Sequence, residues 1–112
     1  MGFIYFISSD KMGSNDPELG QKLMRSFVVN LLASPQKPSH IIFVEKGVKL
    51  LTSEFPVVDA FGILEKEYGV ELLACVTCLD YYGIRDALKA GKISNMPDII
   101  EAMHESDKVI HI

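Results

Sequence analysis

Four short apolar runs recur along this chain with room for a helix between them: "GFIYFI" (2–7), "HIIFV" (40–44), "VELLAC" (70–75) and "KVIHI" (108–112). Near-continuous apolar runs of this length, rich in β-branched and aromatic residues, suit strands buried on both faces. Strands separated by helical stretches pair in parallel, because each crossover returns the chain to the same end of the sheet. A shorter run, "KIS" (92–94), suits a further strand. The pattern predicts an α/β fold with helices on both faces of a parallel sheet.

The stretches between these runs carry helical signals. Asp16 followed by Pro17 provides an N-cap and a proline at the first helical position. Leu19, Leu23, Phe27 and Leu31 then recur every four residues, and the helix should stop before Pro35 and Pro38. Residues 57–68 carry Val58, Phe61, Ile63 and Leu64 ahead of Gly69, which is placed to end a helix in the left-handed conformation. "MPDIIEAMHES" (96–106) has Met96, Ile99, Ile100 and Met103 at helical spacing. "EKGVKLLTSEF" (45–55) reads as a long loop, and loops of that length in a small domain are usually functional.

The chain has 112 residues, so a single domain over 1–112 is expected, and 48% hydrophobic residues suffice for one core. A net charge of −4 with 11 scattered basic residues leaves no footprint for nucleic acid or an anionic membrane. No apolar run approaches the ~20 residues of a membrane span. "MGFIYFISSDK" is too short in its apolar part, and lacks the basic lead, for a secretion signal. The expectation is a cytoplasmic protein whose two cysteines stay reduced.

In parallel α/β sheets, ligands bind where the loops leave the carboxyl ends of the strands. The candidate loops are 8–16, 45–55 and 75–80, and the last contains "ACVTCLDYYG", with Cys75 and Cys78 three apart. Thr77 and Asp80 match a reciprocal capping box, which makes Cys78 the first helical residue. Leu79, Gly83, Ala87 and Ala90 would then line one face of a helix ended by Gly91, with Arg85, Asp86 and Lys89 exposed. A thiol at a helix N-terminus is pulled below its ordinary pKa of about 8.5, while a nearby carboxylate such as Asp80 opposes that. Cys75, at the end of an apolar strand, behaves as a small buried hydrophobe or as a partner thiol.

Three chemistries compete for the pair. Zinc needs four ligands, and His40, His104 and His111 are dispersed, so no metal is expected. A Cys-x-x-Cys after a strand is also the local signature of dithiol redox proteins, although Val76 and Thr77 replace the small residue and proline usual there. Nucleophilic transfer through Cys78 is the third. Around it, Lys46 and Lys49 could hold an anion, and Gly47 suits a turn with positive φ. Met12 and Gly13 could approach a ligand by backbone, and Tyr82, beside Tyr81, could wall a pocket or an oligomer contact. The first loop lacks the spaced glycines and lysine of a phosphate-binding loop, so no cofactor is expected.

The segments "CVTCLDYYGIRDALKAGKISNMPDI", "MGSNDPELGQKLMRSF" and "IIFVEKGVKLLTS" together resemble the DsrE/DsrF-like sulfur-relay family over nearly the whole chain. The resemblance is strongest to the branch found as the carboxyl-terminal domain of sulfurtransferase-like, YedF-type selenium-metabolism proteins. It implies a three-layer α/β/α domain of the DsrEFH-like kind, with a mostly parallel five-stranded sheet, assembling into homo-oligomers such as trimers or hexamers. It also implies that Cys78 accepts a sulfane sulfur, or selenium, as a persulfide and passes it to a partner thiol. Cys75 belongs to the selenium-linked branch. That branch usually carries a small TusA-like domain absent from these 112 residues, so a separately encoded TusA-like sulfur carrier is expected as partner. The alternatives are a non-catalytic, oligomeric ligand-binding or scaffold module and a dithiol redox protein.

Overall fold

A computed structural model describes residues 2–52 and 57–112. Its strands are β1 (Phe3–Ile7), β2 (His40–Phe43), β3 (Glu71–Cys75), β4 (Lys92–Ser94) and β5 (Lys108–His111), in the order β4-β3-β2-β1-β5. Every pairing is parallel. The α/β expectation holds, and the sheet is wholly rather than mostly parallel.

Successive strand residues point to opposite faces, so each face has its own core. Tyr5, Ile7, Ile41, Phe43, Leu72 and Ala74 face α1 (Pro17–Ala33) and α2 (Val58–Tyr68). There Phe43 and Phe61 stack edge to face with centroids 5.1 Å apart. Ile4, Ile42, Leu73 and Cys75 face α4 (Met96–Glu105) through Ile99. The result is a three-layer domain. A short helix α3 (Val76–Tyr82) caps the carboxyl edge rather than covering a face.

The helix termini follow the local chemistry. Gly69 (φ 69°) and Gly83 (φ 65°) end α2 and α3 in the left-handed conformation. Asn95 caps α4, its side-chain oxygen accepting the Asp98 N–H at 2.9 Å. Asp16 flanks α1 as expected, but its side chain makes no capping hydrogen bond.

Three expectations are corrected. The inward stripe of α1 is Gly20, Met24, Val28 and Leu31, whereas Leu19 and Leu23 are 52% and 45% exposed. A strict four-residue repeat advances about 40° around the helix at each step, so it cannot hold one face for three turns. Residues Glu45–Leu51 form a 3-10 helix rather than a loop, because Val48, Leu50 and Leu51 bury themselves against the sheet and α2. The last three residues of that expected loop, 53–55, lie outside the described residues. The helix after β3 stops at Gly83 instead of Gly91, and a 3-10 turn at Arg85–Ala87 leads to β4.

Gly47 has a role that the sequence reading misplaced. Its φ is not positive. A Cβ there would lie 2.4 Å from the Ile7 carbonyl oxygen, so glycine is required by close approach of the 3-10 helix to the end of β1. Gly62, inside α2, would meet nothing within 4 Å. Urea denaturation should therefore separate the two: Gly47→Ala is expected to cost about 1–3 kcal/mol through forced backbone movement, whereas Gly62→Ala should stabilise by about 0.5–1 kcal/mol.

Candidate functional site

The parallel register aligns the strand ends. Ile7 lies beside Phe43 and Phe43 beside Ala74, so β1, β2 and β3 end within one residue of each other and their chains leave the sheet at one edge. All three candidate loops thus start from one edge. Lys11, Gly13 and Ser14 from the first and Glu45 and Lys46 from the second line a cavity of about 550 Å³. Tyr82 of α3 closes it on the side of the cysteine segment.

Cys75 is the last residue of β3, 3% exposed, packed among Ile4, Ile42 and Ile99. Cys78 is partly buried and touches both cores, at the seam where the two faces of the sheet meet. Both thiols are free, and the Cys75 thiol is near enough to Cys78 to act on its ionisation. The backbone N–H of Glu45 donates to the Cys78 Sγ at 3.1 Å. Among the described residues, Glu45 is the one non-glycine with positive φ, at 49°. Holding a non-glycine residue there costs on the order of 1–3 kcal/mol.

The capping box does not form. Cys75 occupies the flanking position of α3 and no side chain caps it, so Thr77 is an exposed second residue and Cys78 the third. Asp80 turns away instead, its carboxylate accepting two hydrogen bonds from the Arg85 guanidinium at 2.8 and 2.6 Å. That pairing holds Asp80 below its ordinary range and raises Arg85 further. Both groups are well exposed, so the pair fixes the geometry of the α3 turn more than it adds stability.

The electrostatics of Cys78 run opposite to the macrodipole expectation. Burial pushes the thiol up, the Glu45 N–H pulls it down, and the Cys75 thiol and the Glu45 carboxylate raise it again, with a net upward shift. A seven-residue helix has little dipole to offer, and desolvation disfavours thiolate more than one amide favours it. Tyr82 is likewise pushed up, by burial and then by the neighbouring acidic groups, the Glu45 carboxylate foremost.

The remaining expected residues divide between site and scaffold. Lys46 and Gly13 line the cavity. Lys49 lies one helical turn on, its Nζ 4.7 Å from the Tyr82 ring centroid. Tyr82 also meets Tyr81 edge to face at 5.2 Å. Met12 and Gly47 do not belong to the site: Met12 packs against the core and lines a groove along α1, and Gly47 is buried against β1. Sequence reasoning missed Glu45, Asp10 and Arg85. Asp10 is 7% exposed, ion-paired with Lys11 at 3.1 Å on the cavity wall. An acid in a strand-end loop carries no signal of left-handed backbone. The Asp80 and Arg85 pair is five residues apart and meets because α3 ends at Gly83 between them, so helical spacing carried no signal for it either.

Among the described residues no group of three or more His, Cys, Asp and Glu could hold a metal ion. No helix among them is long and apolar enough to cross a membrane.

The sequence profile of the DsrE/DsrF-like family matches residues 7–112. A comparison with curated proteins finds no match. Among solved structures, the chain is similar to the YchN protein from Escherichia coli, with TM-score 0.72 and 15% identity, covering 100% of both chains. It is similar to MTH1491 from Methanobacterium thermoautotrophicum, a protein of unknown function, with TM-score 0.68 and 23% identity over 98% of this chain and 97% of that one. BT1422 from Bacteroides thetaiotaomicron, a conserved protein of unknown function, gives TM-score 0.67 and 14% identity over 99% and 95%. At these identities the likeness concerns the fold.

Alkylation of Cys78 should have a pH midpoint above that of an ordinary exposed cysteine, with Cys75 modified only on unfolding. Because the folded value is raised, Cys78 contributes stability that is full below the unfolded thiol pKa of about 8.5 and is lost as pH rises through the folded value. Urea midpoints measured from pH 7 to 10 should fall more steeply for the wild type than for Cys78→Ser.

Proposed function

The chain belongs to the DsrE/DsrF-like family, one associated with sulfur relay, and on that footing we propose that it is a thiol carrier in which Cys78 holds a persulfide. The Cys78 thiolate attacks the outer sulfur of a donor persulfide, R–S–SH. The S–S bond breaks, the donor leaves as R–S⁻ and takes the thiol proton, and Cys78 becomes Cys–S–SH. Attack by an acceptor thiol on that outer sulfur repeats the exchange and restores Cys78. No electrons are gained or lost overall, so no external oxidant or reductant is consumed.

The observation that carries this reading is the position of Cys78. Its sulfur lies at the carboxyl edge of the sheet, takes an N–H at 3.1 Å, and adjoins Glu45 and Tyr82, which open onto the 550 Å³ cavity. A raised pKa is compatible with the role. Thiolate is scarcer at neutral pH, yet each thiolate is intrinsically more nucleophilic as its pKa rises. Selectivity then comes from docking the donor against the edge, where Lys46 is free of any charged partner among the described residues. A TusA-like carrier is the donor this reading expects, and the cargo is sulfur or selenium.

Two other observations bear on function. The same burial that holds Cys78 protonated favours a non-catalytic ligand-binding or scaffold module, with the cavity as the binding site. The nearness of Cys75 and Cys78 favours a reversible disulfide. Assembly into a homo-oligomer, a trimer or hexamer, belongs to the same reading, and Leu19 and Leu23, exposed on one side of α1, are apolar residues that such a contact could cover.

Intact-mass spectrometry after exposure to a sulfane-sulfur donor separates the readings. The carrier reading expects one added sulfur in the wild type and in Cys75→Ser, and none in Cys78→Ser. Loss of two hydrogens would instead indicate dithiol redox chemistry, and an unchanged mass would leave the binding module.

A further inference from the structure

The cavity at the carboxyl edge carries a pattern of charge that sulfur loading on Cys78 does not by itself use. Its volume of about 550 Å³ lies in the range of sites for small organic molecules. Asp10, Lys11, Asp16, Glu45 and Lys46 line it. Asp10 and Lys11 neutralise each other through an ion pair at 3.1 Å. Asp16, Glu45 and Lys46 have no charged partner among the described residues, and Asp16 does not spend its carboxylate on capping α1. One ammonium and two carboxylates are thus left uncommitted on the wall of one recess, where low-dielectric surroundings strengthen their pull on the charges of a ligand.

This set narrows the ligand. Three carboxylates against two lysines repel a phosphate or any other polyanion, and no group of His, Cys, Asp and Glu among the described residues could hold a metal ion. An apolar molecule would cut three charges off from water without pairing them. What matches is a zwitterion, its carboxylate on Lys46 and its ammonium on the carboxylates of Asp16 and Glu45. Cys78 stands behind the same wall, since Glu45, which lines the cavity, gives its N–H to the Cys78 Sγ at 3.1 Å.

We propose that the cavity binds a small zwitterionic thiol, an amino acid or short peptide of the cysteine type, as the acceptor of the sulfur carried on Cys78. The proposal rests on the carrier reading of Cys78 and names the acceptor which that reading leaves open. The bound thiol, R–SH, attacks as its thiolate the outer sulfur of Cys78–S–SH. A bond forms between that sulfur and the sulfur of R, the bond to the Cys78 Sγ breaks, and Cys78 leaves as thiolate and takes the proton that R–SH gave up. The product is R–S–SH, and no electrons are gained or lost overall.

Binding is followed on the full chain at pH 7 by ¹H–¹⁵N NMR through the Gly13 and Lys46 amides, with thioethers that bind without reacting. S-methyl-L-cysteine should shift both amides saturably. Methylthioethylamine, which lacks the carboxylate, and methylthiopropionate, which lacks the ammonium, should each bind roughly tenfold more weakly. Lys46→Gln should erase the preference over the amine, and the double variant Asp16→Asn, Glu45→Gln the preference over the acid. All three side chains are exposed, so these variants keep the fold. No saturable shift, equal binding of the three thioethers, or a Lys46→Gln variant that keeps the full preference overturns the inference. Protein already loaded with sulfur should return to its unloaded mass faster with L-cysteine than with cysteamine, whose thiol is of similar acidity, and equal rates overturn the acceptor role. If S-methyl-L-cysteine binds as expected but Cys78 never gains sulfur, the ligand class stands and the carrier reading falls. If Cys78 loads while no thioether binds, the carrier reading stands and this inference falls.

Discussion

Parallel pairing in register is the constraint on which everything else at this site depends. Because Ile7, Phe43 and Ala74 lie in one row, the chain leaves β1, β2 and β3 at the same height, and three loops from distant parts of the sequence converge. A slip of one residue in β3 would exchange its faces, turning Cys75 from the α4 side toward the α1 side and carrying α3 with it. The register is secured by the two cores, since each strand must satisfy both faces at once. The position of Cys78 is therefore a property of the whole sheet rather than of its own short helix.

How much of this was legible in the sequence depended on the range of the interaction. The strands could be read because a residue run buried on both faces has few alternatives, and Gly69 marks a helix end because left-handed caps favour glycine, whereas Gly83 was read as mid-helix although it caps α3 in the same conformation. The inward face of α1 was misread because leucine spacing was counted while Gly20, which packs against the loop at Lys11 and Met12, and Met24, which enters the core, carry weaker signals. At Thr77 and Asp80 a valid local pattern lost to a stronger partner: the guanidinium of Arg85 offers two charge-assisted hydrogen bonds where the cap offers one neutral donor. The Glu45 turn was invisible because nothing local demands it. It exists only once β2, β3 and the 3-10 helix are in place.

The thiol illustrates the same ordering of effects. A sequence places Cys78 near a helix start and suggests activation, but activation by a dipole needs a helix long enough to have one and a thiol wet enough to use it. Here the helix has seven residues and the sulfur touches both cores. Desolvation therefore outweighs a single amide bond, and the resting thiol is protonated.

That balance is compatible with the carrier proposed above. A permanently ionised thiolate at an exposed edge would react with any oxidant or electrophile in reach, whereas a neutral thiol waits for a partner that changes its surroundings. The cavity wall supplies the means. Asp10 is already matched by Lys11, while the Glu45 carboxylate, also on the cavity wall, has no such match among the described residues. Docking a cationic surface against that edge would remove a repulsion on the thiolate and exclude water from it at the same time. On the proposed carrier reading, the contact that brings a donor sulfur to Cys78 would then also ready Cys78 to attack it.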